Sequence, residues 1–216
     1  MKIEKMSDFF TARVNGYDDH MLNDVEGCKE GYIRMAELLP QGVSQLLDLG
    51  CGTGLELDEI FKRFPSIHVT GVDLTKAMLD QLKQKYPDKN MVLINESYFD
   101  YDFGACKYNA VVSFQTMHHF SHEDKIKLYS KILTALKEGG QYIECDYMVE
   151  KQEEEDFYFN ENKRLRNENG IKDGEFYHYD TPCTISNQID LFLKAGFQNV
   201  KMIWREGNTT IIIAQK

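Results

Sequence analysis

Three glycines at alternate positions, Gly50, Gly52 and Gly54, end the apolar run Leu46-Leu47-Asp48-Leu49 and open straight into a helical pattern. No other stretch limits the fold as much. Leu46, Leu47 and Leu49 suit a short strand buried on both faces, the kind found in parallel sheets, and a parallel strand must leave through a loop and a crossover helix. That helix follows at once, with Leu55, Leu57, Ile60, Phe61 and Phe64 along one face and Pro65 ending it. Glycine allows the connecting backbone positive φ and lets a ligand approach to contact distance. Asp48 stands at the carboxyl end of the strand, the edge where open α/β sheets bind small molecules.

The loop chemistry narrows the ligand. A dinucleotide fingerprint places its third glycine where Leu55 stands, and a phosphate-cradling P-loop needs Lys and Ser or Thr where Leu55-Glu56 stands. Both phosphate readings fail. Ile67-His68-Val69-Thr70-Gly71-Val72-Asp73 reads as a second strand ending in a carboxylate, near the spacing at which an acid reaches a ribose diol. A nucleoside without a pyrophosphate fits this pattern.

On these residues the chain resembles the class I S-adenosylmethionine-dependent methyltransferases, small-molecule type, from about Gln45 to Gly140 and again at the C-terminal end. The resemblance implies cofactor-binding roles for Asp48, Gly50, Cys51, Gly52, Thr53 and Gly54 beneath the methionine and ribose. It implies that Asp73 takes the ribose hydroxyls, with Leu74 and Met78 against the adenine and Glu96, Ser97 and Tyr98 near the adenine amino group. The segment Asn109 to Ser113 followed by Gln115-Thr116-Met117-His118-His119-Phe120 is similar to the family's "D-x-V-x-S…H-H" stretch, with Asn109 for the usual Asp; Gln115 joins the cofactor set. Leu136-Lys137-Glu138-Gly139-Gly140 resembles the "L-K-P-G-G" turn before the fifth strand. Tyr17, from a region where family members bring an aromatic to the methionine end, is a further candidate contact.

The rest of the pattern agrees. Strand and helix signals alternate, which predicts a doubly wound α/β sheet. Asp24 to Leu39 reads as a helix, Thr75 as the cap of a helix through Tyr86, Ser121 with Asp124 as a capping box, and Ser186 as a helix start. Phe197 to Trp204 and Thr209 to Ala214 flank a turn and predict an antiparallel β-hairpin; the resemblance makes it part of a mostly parallel seven-stranded sheet. The expected organisation is one domain: an N-terminal helical segment at 1–40, a cofactor-binding core at 41–147, a helical cap insertion at 148–185 over the acceptor pocket, and a C-terminal helix and hairpin at 186–216.

A formal charge of −10 opposes nucleic-acid binding, and no apolar run nears a membrane span. The N-terminal residues lack a signal-peptide segment, so a cytoplasmic protein is expected, monomer or homodimer. Five scattered cysteines fit neither a disulfide framework nor a zinc spacing. The expected chemistry is direct in-line methyl transfer from S-adenosylmethionine to a small-molecule acceptor, leaving S-adenosylhomocysteine. His118 is the candidate catalytic base, with His119, Asp146, Tyr147 and His178 as lesser candidates, and a pocket-lining role for His118 stays open beside it. His118 and His122 could share a helix face as metal ligands, but no matching Cys or carboxylate spacing lies beside them, so no metal is assigned. The alternatives are a catalytically inactive cofactor-binding interaction protein and an NAD-dependent oxidoreductase, the latter disfavoured by Leu55.

Overall fold

A computed structural model describes residues 3–216. The apolar runs form β1 (Gln45–Leu49), β2 (His68–Asp73), β3 (Met91–Asn95), β4 (Tyr108–Phe114), β5 (Leu136–Tyr147), β6 (Gln198–Glu206) and β7 (Thr209–Gln215). They make one seven-stranded sheet of order β3-β2-β1-β4-β5-β7-β6. β1 to β5 are parallel, while β7 pairs antiparallel with β5 and β6. The doubly wound, mostly parallel sheet with a C-terminal hairpin is therefore the observed one. The strand order reverses between β1 and β4, and that switch point leaves a crevice at the carboxyl ends of both strands.

The two-residue period of β1 explains how the sheet is covered. Leu46 packs on one side with Val69, Ala110, Val112, Ile143 and Ile211, against α2 (Cys28–Leu38), α3 (Leu55–Arg63) and α4 (Lys76–Lys85). Leu47 and Leu49 pack on the other with Val72, Val111, Tyr142 and Ile212, against α5 (His122–Ala135) and α7 (Ile185–Lys194). All three leucines are fully buried, and each contributes about 1.5–3 kcal/mol by leaving water. Two more helices are α1 (Met6–Asn23), whose Met21 joins the cluster around Leu46, and α6 (Gln152–Glu168), whose Leu165 is buried. No helix among the described residues is long and apolar enough to cross a membrane.

Several boundaries differ from the sequence expectation for local reasons. α2 starts at Cys28 because Gly27 breaks the chain at φ 80, where a Cβ would meet the Glu206 carbonyl at 2.8 Å. Thr75 does not cap α4 with its side chain; its N–H donates to Asp73 Oδ1 at 2.7 Å instead. α7 begins one residue before Ser186, with Thr184 Oγ1 accepting from Asn187 N–H at 3.3 Å. Residues 136–140, expected as a turn, belong to β5, which absorbs them through a register shift opposite Tyr108 and Ala110. The Ser121 cap is as read: its Oγ accepts from Asp124 N–H at 3.2 Å. Asn109 is a structural pin, its Oδ1 accepting from Gln45 N–H at 3.0 Å and Ser44 Oγ at 3.1 Å.

Candidate functional site

The glycine loop divides its labour among three residues. Gly50 (φ 70) and Gly54 (φ 74) are needed for packing: a Cβ would stand 2.6 Å from Thr116 Oγ1 in the first case and 2.3 Å from Leu82 Cδ1 in the second. A Cβ at Gly52 would meet nothing nearer than 3.9 Å, so this residue presents bare backbone to open space. Its N–H donates to Asp73 Oδ2 at 2.9 Å, and Thr75 N–H fixes the other carboxylate oxygen. Burial raises the Asp73 carboxyl, with the two N–H donors working in the opposite direction. Each oxygen keeps a lone pair for a further donor.

Beside this loop runs a narrow cleft of about 60 Å³. It brings together Tyr17, Gly50, Gly52, Asp73, Leu74, Met78, Ser97, Tyr98 and Gln115 of the expected cofactor set. Five others stand elsewhere. Cys51 packs on β2, where a Cβ on Gly71 would meet its sulfur at 2.8 Å. Thr53 donates its hydroxyl to Asp18 of α1, which Lys85 also holds at 2.8 Å. Gly54 packs on Leu82, Glu96 is exposed, and Asp48 is wholly buried. Burial raises the Asp48 carboxyl strongly and takes neighbouring Glu56 up to about 7. Apart from each other these two acids leave both Asp48 oxygens and Glu56 Oε1 without a hydrogen-bond partner among the described residues.

The cleft meets a larger chamber of about 880 Å³ at three shared residues, Phe10, Tyr17 and Gln115. Gln115 holds φ 50, a left-handed conformation costing about 1–3 kcal/mol for a non-glycine residue. Its N–H donates to the Cys145 carbonyl at 2.8 Å and its Nε2 to Thr209 Oγ1 at 3.2 Å, which fixes the junction. α1 lines the chamber with Phe9, Arg13 and His20, and His118, His119, Tyr147, His178 and Asp180 line it too, with Phe9 stacked on His178 at 3.5 Å between ring centroids. The insertion differs from its expected role as a helical cap. No residue of α6 lines the chamber, and the insertion enters it only through His178 and Asp180 on an extended stretch. Thr181 clamps that stretch by donating its hydroxyl to the His118 carbonyl at 2.9 Å.

His118 is oriented from behind. Its Nδ1 lies 2.6 Å from Asp146 Oδ1 at the end of β5, and its Nε2 lies 3.6 Å from Asp180 Oδ1. Burial opposes the charged imidazole, but the Asp146 charge and hydrogen bond outweigh it and the net direction is upward. His119 moves down, by burial and then by the neighbouring His118 charge; His178 falls to about 4 by burial and then His119. Asp180 stays below the ordinary carboxylate range despite burial, because the imidazoles surround it.

A second polar group ties the insertion down. Buried Glu155 of α6 accepts from Thr184 N–H at 2.5 Å and Asn187 Nδ2 at 2.9 Å, with His122 Nε2 at 2.9 Å. Burial alone would raise this carboxyl, yet its donors hold it near 2. A depressed folded value stabilises the protein above the ordinary carboxylate pKa and stops doing so as pH falls toward 2. Glu155→Gln is expected to cost about 1–3 kcal/mol in urea unfolding at pH 7, discounted for the half-exposed His122, with the gap closing below about pH 4. A pH-independent gap would contradict the charge assignment.

Sequence reasoning missed Met6, Phe99 and Thr116 on the cleft, and Asp180 in the chamber. Only the alternation of His178 and Asp180, which puts both on one side of an extended chain, signalled the latter.

Residues 46–140 match the family model described as a methyltransferase domain. Over those residues, which hold the switch-point cleft and its acid, the chain is similar to the class I S-adenosylmethionine-dependent methyltransferases. The carboxy-S-adenosyl-L-methionine synthase of Nautilia profundicola is 25% identical over 99% of this chain and 96% of its own length. Malonyl-[acyl-carrier protein] O-methyltransferase 1 of Ilyobacter polytropus is 31% identical, over 44% of this chain and 35% of its own. Human N-acetylserotonin methyltransferase, solved with S-adenosylmethionine, shares the fold at a TM-score of 0.66 and 15% identity, over 96% of this chain and 55% of that one. This chain thus spans little more than half of that solved structure.

Proposed function

We propose that this protein transfers the methyl group of S-adenosylmethionine to a small-molecule acceptor seated in the histidine-lined chamber. The observation that carries the reading is the pair of joined cavities: a cleft along the glycine loop and Asp73, opening through Gln115 onto a chamber faced by His118. When bound, the cofactor supplies an electrophilic methyl on a cationic sulfur. The residues fit such a ligand. Asp73 offers acceptors to a diol, and Gly52 offers open backbone. Met6, Phe10, Tyr17 and Phe176 crowd the cleft, so α1 must withdraw to admit the nucleoside and then close again, excluding water.

The chain contributes mainly alignment, which direct in-line transfer requires. His118 acts at the acceptor's nucleophile: with Asp146 taking the Nδ1–H, Nε2 keeps its lone pair toward the chamber, where a proton must leave. A net charge of −10 supports a non-nucleic-acid acceptor. The near full-length likeness to carboxy-S-adenosyl-L-methionine synthase supports a second reading, in which the cofactor is itself substrate and a carboxylated form the product. Arg13, the arginine on the chamber wall, is already paired with Glu4 at 3.3 Å and lies over Phe9, which disfavours it as a carboxylate receptor. Mass spectrometry after incubation with methyl-labelled cofactor and an acceptor panel, and in a parallel arm with the cofactor and a panel of carboxylic-acid carboxyl donors, tests both. Labelled acceptor plus S-adenosylhomocysteine is the expected result; a cofactor heavier by a carboxyl group would replace this reading with the second.

A further inference from the structure

Three ligand-type atoms converge on the chamber wall. His118 Nε2 is 3.6 Å and His119 Nδ1 3.4 Å from Asp180 Oδ1, and the three lie within 4.8 Å of one another. Donors around a tetrahedral ion with bonds of about 2.0–2.1 Å stand about 3.3–3.4 Å apart, so both distances to Asp180 Oδ1 lie within a few tenths of an ångström of that spacing. His119 Nδ1 and Asp180 Oδ1 do not meet hydrogen-bond geometry with each other and are buried without another partner among the described residues. The imidazoles face the carboxylate at ion-pair distances and leave both atoms short of a hydrogen bond, a place that a cation between them would fill.

The surroundings match a metal ligand set. His118 directs its other nitrogen at Asp146, 2.6 Å away, the carboxylate–histidine arrangement that fixes tautomer and ring direction behind a coordinating imidazole. Thr181 holds the Asp180 stretch on the His118 carbonyl, and the 3₁₀ turn Met117–His119 presents the two imidazoles side by side with ring centroids 4.1 Å apart. The chamber lies on the open side, so an ion held by three protein ligands keeps a position for a fourth from the acceptor. His122, Glu155 and Cys183 form the only other such cluster among the described residues, and there the Lys125 ammonium already sits 3.2 Å from the sulfur.

We propose that His118, His119 and Asp180 bind a zinc-class divalent cation that ligates the acceptor's nucleophilic atom. Two imidazoles and one carboxylate with an open position suit zinc or a neighbouring first-row ion rather than magnesium or calcium. The ion draws electron density from the acceptor's O–H or S–H group, the proton leaves to water, and the heteroatom keeps the pair with which it attacks. His118 Nε2 is then a ligand, and ionisation by the metal replaces direct proton uptake by the imidazole. This deepens the acceptor-side reading of the chamber, but the binding of the ion itself can be measured without an acceptor.

Tag-free protein stripped with chelator and dialysed is titrated with Zn²⁺ against a chromophoric chelator. The expected result is one ion per chain, with affinity weakened about 10–100-fold by Asp146→Asn and further by Asp180→Asn or His119→Gln, while His122→Gln leaves it unchanged. Cobalt substitution should give the intense visible bands of a tetrahedral site, absent in Asp180→Asn. The proposal is overturned if wild type binds no ion at micromolar zinc, or if His122→Gln abolishes binding that Asp180→Asn and His119→Gln retain. S-adenosylhomocysteine titration of the same preparations separates the two levels: loss of zinc binding alone removes the metal, and failure to bind the nucleoside removes the cofactor reading.

Discussion

His118→Ala is expected to lower kcat by about 10²–10⁴-fold with the acceptor identified by the labelling panel, and to leave the affinity for S-adenosylhomocysteine unchanged. The separation follows from position. His118 lines the chamber and not the cleft, so its loss removes whatever ionises the acceptor without touching the nucleoside's contacts. Asp146→Asn should give a smaller loss of the same kind, because the ring then lacks the partner 2.6 Å away that fixes its tautomer. The pH profile carries a second signature. Asp146 moves His118 upward from the ordinary histidine value, so activity that needs the free Nε2, as proton acceptor or as ligand, falls on its acid side, and that limb disappears in the alanine variant. Calorimetry and steady-state rates on the same preparations check both halves. Equal losses of rate and cofactor affinity would show that the residue only supports the cleft.

The sequence made the cofactor half of this picture legible because that half is local. Gly50, Gly52 and Asp73 sit at the ends of adjacent strands, and strand ends are where residue type, periodicity and backbone conformation coincide. Even there the alternation of glycines hid a division of labour: Gly50 and Gly54 are dictated by Thr116 and Leu82, contacts no linear pattern displays. Cys51 and Thr53 belong to the same motif yet point to β2 and to Asp18. The acceptor half was largely hidden. Asp180 joins His118 and His119 only because an extended stretch after α6 crosses back over the 3₁₀ turn and is clamped through Thr181. The insertion was expected over the acceptor pocket, with Phe9 to Tyr17 closing its other side; α1 carries that N-terminal segment along the chamber, and Asp18 anchors the helix to the glycine loop and to Lys85.

Asp73→Ala is expected to weaken S-adenosylhomocysteine binding by about 1.5–3 kcal/mol, or roughly 10–150-fold in Kd. The carboxylate has two tasks. It accepts from Gly52 and Thr75 N–H, which sets the path of the loop, and its remaining lone pairs face the cleft as acceptors for a diol. Asp73→Asn keeps one acceptor oxygen and should lose less, and a 2′-deoxy analogue of the nucleoside should discriminate poorly between wild type and Asp73→Ala. Unchanged affinity in the alanine variant, with the fold intact by circular dichroism, would remove the diol assignment.

Calorimetric titration of the wild-type protein with S-adenosylhomocysteine, and separately with NAD, bears most directly on the claim that the glycine turn and Asp73 hold a sulfur-bearing adenosyl nucleoside. Saturable one-to-one binding of S-adenosylhomocysteine at micromolar levels, with no heat from NAD, is the predicted result. Silence toward S-adenosylhomocysteine up to millimolar concentration, or tight binding of NAD in its place, would contradict it.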